Sequence, residues 1–160
     1  MRTNDIKAKI VFHVLACLTL LLAAKASAEP DYTDLKRAVT NFFAVMDRLV
    51  EEVPKAKDAD GAAKVIDSWT TANNCVSDAG EAFLRKNPAI VKESKPPPEF
   101  AEYIMRCTTL KTNYVSVAAG VGTLIKQFGT DAKVAAAVSR FQRSMQQLDK
   151  LAKLGVNDDD

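Results

Sequence analysis

The sequence predicts an all-α fold, an antiparallel up-down-up-down four-helix bundle, and three observations predict it. Four segments carry apolar residues at alternating steps of three and four, the repeat that lines one face of a helix. No stretch of useful length alternates with period two, as a half-buried strand would. The prolines fall before or between the four segments and never inside them, and the connections are short enough to join neighbouring antiparallel helices.

In the first segment Tyr32, Leu35, Val39, Phe42, Met46, Leu49 and Val53 hold the step, and Pro54 closes it. In the second, Asp58 or Asp60 offers a cap, and Ala62, Val65, Trp69, Ala72, Val76, Ala79 and Phe83 form the seam before Asn87-Pro88 ends it. The third follows the prolines at 96–98, opens with Glu99 and Glu102 at the positive end of the helix dipole, and runs Phe100, Tyr103, Cys107, Leu110, Tyr114, Val117, Val121, Leu124 and Phe128. Gly129 stops it and Thr130 is the expected cap of the fourth. That last segment carries Val134, Val138, Phe141, Met145, Leu148 and Ala152, and Gly155 ends it. Phe43, Val50 and Ile104 lie off the seams and are the apolar positions expected to be left for dimerisation.

The start of the chain reads as a cleavable secretory leader over residues 1–28. Arg2, Lys7 and Lys9 precede a 15-residue apolar run at 10–24, and Ala26-Ser27-Ala28 places small residues where a signal peptidase reads them. The run is shorter than the roughly 20 residues a helix needs to span a bilayer, so no stable membrane span is expected after cleavage. Val14-Leu15-Ala16-Cys17 loosely resembles a lipoprotein cleavage site, but the apolar stretch continues beyond Cys17, where a lipoprotein would turn polar. Removing 28 of 160 residues leaves 132, enough for one domain, expected at 29–156 with a flexible acidic tail at 157–160. The leader also takes four of the 22 basic and one of the 20 acidic residues, so the formal charge changes from +2 to −1 and no affinity for nucleic acid follows. It removes the single histidine, His13. Histidine-based acid–base catalysis, a Ser-His-Asp or Cys-His arrangement, and the commonest zinc and haem ligand are thereby excluded from the mature chain.

Cys75 and Cys107 are the cysteines that remain, and in an exported chain an even pair reads first as a disulfide. With the second helix ending near residue 85 and the third starting near 98, the two lie about 15 and about 13.5 Å from the connection, level with each other in a hairpin. Inert core thiols and a redox pair are the alternatives, the latter without a Cys-x-x-Cys spacing.

Ala119-Gly120-Val121-Gly122-Thr123 has the look of a phosphate loop, but it lacks the Gly-Lys-Ser/Thr ending, follows no strand, and keeps the helical step throughout. Small residues there let a neighbouring helix approach. They also leave Gly120 and Gly122, with Met145, as a possible ligand patch. Methionine at a core step is otherwise packing, and no metal site is expected. No carboxylate pair declares itself as catalytic.

The corner Val53-Pro54-Lys55-Ala56-Lys57-Asp58-Ala59-Asp60-Gly61-Ala62-Ala63-Lys64-Val65-Ile66, the proline-bearing second connection and the Ala135-Ala136-Ala137 opening of the fourth segment resemble the periplasmic four-helix b-type cytochromes. The resemblance implies their scaffold without their haem, because Phe42 and Leu148 stand where that family has its methionine and histidine ligands. The expectation is an exported, periplasmic or secreted, non-enzymatic bundle with no cofactor, binding an envelope protein or a second copy of itself. A carrier of a small apolar or haem-like ligand between the helices is the alternative.

Overall fold

The computed structural model describes residues 31–87 and 101–154, and of 101–113 and 152–154 the helical backbone alone. The expected leader and the acidic tail lie outside the described residues. Those described form four helices: α1 over Thr33–Glu52, α2 over Ala59–Lys86, α3 over Ala101–Phe128 and α4 over Ala132–Leu154. No strand occurs among them.

Local chemistry sets most of the boundaries. The Asp31 carboxylate accepts the Thr33 N–H at 3.0 Å just ahead of α1. At the far end Pro54 falls within a single 3₁₀ turn, Val53–Lys55, which carries the chain around the corner. Of the two candidate caps for α2, Asp58 is the one used: its backbone is extended and its Oδ1 accepts the Gly61 N–H at 2.7 Å. The Asn87 side chain donates to the Phe83 carbonyl at 3.0 Å and closes α2 immediately before Pro88. At the start of α4 Asp131, and not Thr130, caps the helix, accepting the Lys133 N–H at 2.8 Å on its carboxylate and the Ala135 N–H at 2.9 Å on its carbonyl. A carboxylate at the helix N-terminus also meets the dipole, which a threonine hydroxyl does not.

Pairwise directions follow from named contacts. Tyr32, at the start of α1, stacks on Phe83, near the end of α2, with ring centroids 4.8 Å apart, so these two helices are antiparallel. Asp60 meets Lys133 and Asp67 meets Arg140, pairs separated by the same 73 residues, so α2 and α4 run parallel and side by side. Theirs is the most extensive interface among the described residues, followed by that of α1 with α2. Each step of seven residues along both helices is two turns, the repeat that keeps one seam facing its partner. Along α3, Gly120 lies against Val53 and Tyr114 against Trp69, so α3 is antiparallel to α2.

The seams expected in α1 are all buried, from Tyr32 to Val53. The core is wider than the seams, however, and takes in Ala38, Phe43, Ala63, Ile66, Ala137 and Leu151. Phe43 is 1% exposed, which corrects the expectation that it is left over for dimerisation. Helix α1 packs on α2 and α3 together, and a helix gripped from two sides buries a broader arc than one seam. Val50 packs partly buried against the core, and the side chain of Ile104 lies outside the described residues.

Candidate functional site

Trp69 is the centre of the described core. It is 1% exposed, meets Tyr114 of α3 edge-on at 5.2 Å and lies 4.8 Å from the Phe141 ring of α4. Four residues on, Asn73 is fully buried, and four beyond that Ser77 is 1% exposed. These residues continue a second buried stripe of α2 that begins with apolar Ala62 and Ile66 and turns polar at Thr70. The stripe is inside because α2 has α1 on one side and α4 on the other.

Hydrogen bonding accounts for part of this stripe. Thr70 donates to the Ile66 carbonyl at 2.9 Å within its own helix. The Asn73 amide nitrogen donates across the interface to Ser144 Oγ at 3.2 Å and lies 3.3 Å from Met145 Sδ. Ser144 in turn donates to the Phe141 carbonyl at 2.8 Å. Four atoms around Trp69 and this stripe, Trp69 Nε1, Asn73 Oδ1, Ser77 Oγ and the Tyr114 hydroxyl, are among the buried ones with no hydrogen-bond partner, as is Asn74 Oδ1. Left dry, each would cost about 1–3 kcal/mol. Together the four would cost about 4–12 kcal/mol, the scale of a whole domain's stability. Burial also raises the Tyr114 phenol above its ordinary ionisation range, because the phenolate would lose its hydration. No buried side chain among the described residues is charged.

The residues expected to form one ligand patch do not come together. Gly120 borders a surface groove of about 310 Å³ between α3 and the α1–α2 corner, walled by Val50, Val53, Pro54, Val117 and Leu124. Gly122 faces open space, with nothing within 4 Å of where a Cβ would stand. Met145 is on α4 beside Asn73, which α2 supplies. Glycines two apart on a helix point about 200° apart, so a close pair in sequence cannot line one wall.

Cys75 carries a free, exposed thiol on the outer side of α2. Cys107 belongs to the stretch of α3 whose side chains lie outside the described residues, and the expected pairing falls there. No cluster of three or more histidine, cysteine or acidic side chains suited to a metal ion occurs among the described residues. None of the described helices is long and apolar enough to cross a membrane.

The outer face of the α2–α4 interface carries the two ion pairs. Lys133 Nζ lies 2.6 Å from Asp60 Oδ1, and Arg140 grips Asp67 with two bonds of 2.9 and 2.8 Å. These hydrogen bonds to carboxylates raise the basicity of Lys133 and of Arg140. All four side chains are well exposed, so the pairs orient the two helices more than they stabilise them.

No family model, curated protein or solved structure matches this chain. What stands of the likeness to the b-type cytochromes is the coarse architecture of four packed helices. Phe42 and Leu148, at the positions that likeness assigns to haem ligands, are 3% and 1% exposed members of the core.

The sequence seams missed the polar stripe because hydropathy marks Thr70, Asn73 and Ser77 as outward-facing. One signal was present. The alternating step of four and three through Ile66, Thr70, Asn73, Ser77 and Gly80 is unbroken, and the residues on it are small or uncharged.

Proposed function

We propose that this chain is an exported, non-enzymatic helical bundle that serves as a binding or structural module of the cell envelope, built on a cytochrome-like scaffold without haem. The carrying observation is that the two positions at which such a scaffold would hold its haem are occupied by core side chains of the chain itself. Phe42 and Leu148 are buried in the same core cluster as Trp69, Phe43, Met46 and Leu49, and neither can ligate iron. The leader at 1–28 supports export to the periplasm or beyond. The outer surface alternates sign, with the pairs Asp34–Arg37, Arg48–Glu52, Asp60–Lys133 and Asp67–Arg140. That mixture suits a protein partner or a second copy better than nucleic acid.

A carrier of a small apolar ligand is the second reading, favoured by the groove beside Gly120. The mass and visible spectrum of the protein purified natively from the exported fraction test both. A chain beginning at Glu29 with no visible absorbance is expected. An intact leader in the cytoplasm, or a Soret band, defeats the first reading, and a bound apolar molecule favours the second.

A further inference from the structure

We infer that the middle of the bundle is a built internal site for a small neutral hydrogen-bonding molecule, seated between α2, α3 and α4 against Trp69, Asn73, Ser77 and Tyr114. This goes beyond the envelope role and does not depend on it. Trp69, Asn73 and Ser77 recur every four residues on α2, about 6 Å apart along the helix axis, so these residues form a file roughly 12 Å long, each carrying a buried polar atom without a hydrogen-bond partner. Tyr114 extends the file onto α3 through its edge contact with Trp69, and the Asn73 amide ties it to Ser144 on α4.

The chemistry of these atoms selects the occupant. An indole N–H only donates, an amide oxygen only accepts, and the two hydroxyls do both. The occupant therefore presents at least one acceptor and one donor. It is uncharged, because no buried charged side chain among the described residues could compensate an ion. An apolar molecule would leave every one of these atoms unmet. Two sources share the required chemistry: solvent water, held as internal molecules each with two to four polar partners, and a small neutral solute such as a polyol or amide.

The purified native protein tests the site without any substitution. Native mass spectrometry shows a noncovalent adduct if a solute is the source. If water is the source, no adduct is seen, and the Trp69 indole N–H shows a nuclear Overhauser effect to water of a lifetime longer than molecular tumbling. Either result supports the site. A Ser77→Ala variant adds a sign. With the hydroxyl bound to an occupant, its thermal midpoint falls below that of Ser139→Ala, which removes an exposed helical serine hydroxyl and so reports the gain in helix propensity. No adduct, no bound water at the Trp69 indole, and a Ser77→Ala midpoint above that of Ser139→Ala would together overturn the proposal.

Discussion

Replacing Gly120 and Gly122 by alanine, one at a time, separates packing from propensity within a single turn of α3. Alanine is favoured over glycine in a helix by about 1 kcal/mol, and both substitutions gain that increment. At Gly122 nothing lies within 4 Å of the new methyl, so the gain is realised in full and Gly122→Ala raises the thermal midpoint by roughly 3–5 °C for a domain of this size. At Gly120 the methyl would overlap Val53 Cγ1. Val53 cannot easily withdraw: its β-branched side chain is stiff, it is 8% exposed, and Pro54 holds the turn behind it. Overpacking of this kind costs about 1–3 kcal/mol, so Gly120→Ala is expected to be destabilising by about 1 kcal/mol net. Chemical denaturation of the two variants, with Val53→Ala and the double variant completing a cycle, measures the coupling directly. Val53→Ala alone opens space, and Gly120→Ala on that background should stabilise. If Gly120→Ala stabilises the native chain as much as Gly122→Ala does, the α1–α2 corner is not packed on α3 and the fold described above is wrong at that point.

Two further outcomes are expected. Phe43→Ala should lower stability by about 3–5 kcal/mol while leaving the sedimentation behaviour unchanged, since the ring is a core anchor; loss of a dimer with stability intact would contradict its burial. Tyr114 gives a pH dependence. Its folded-state ionisation is raised by burial, so its contribution to stability is fully present below the unfolded value near 10 and is lost as the pH rises above it, because there the unfolded chain gains by releasing the proton. Urea midpoints measured from about pH 8 to about pH 11 should fall more steeply for the native chain than for Tyr114→Phe, and equal slopes would refute the assignment.

The four helices and most of their ends are legible along the chain because each rests on neighbours in sequence. A seam at alternating steps of three and four, an aspartate ahead of a helix, and a proline behind one act within a turn or two. The choice between Thr130 and Asp131 as a cap was not legible, since either is acceptable chemistry and one residue of register decides between them. Where Gly120, Gly122 and Met145 sit was not legible for a related reason. Gly120, Gly122 and Met145 suit a pocket by type, but helical rotation and the identity of the facing helix place them in three different surroundings.

The all-helical fold class and the absence of histidine after residue 28 were thus decided by the sequence alone. Tertiary structure decided that α2 and α4, the second and fourth helices, lie parallel and adjacent, with Asp60–Lys133 and Asp67–Arg140 on the outside of their seam and Asn73–Ser144 within it. Burial belongs to a pair of surfaces and not to a residue. Asn73 and Ser77 are interior because a second helix covers them, and their hydropathy, which is all a linear chain displays, points the other way.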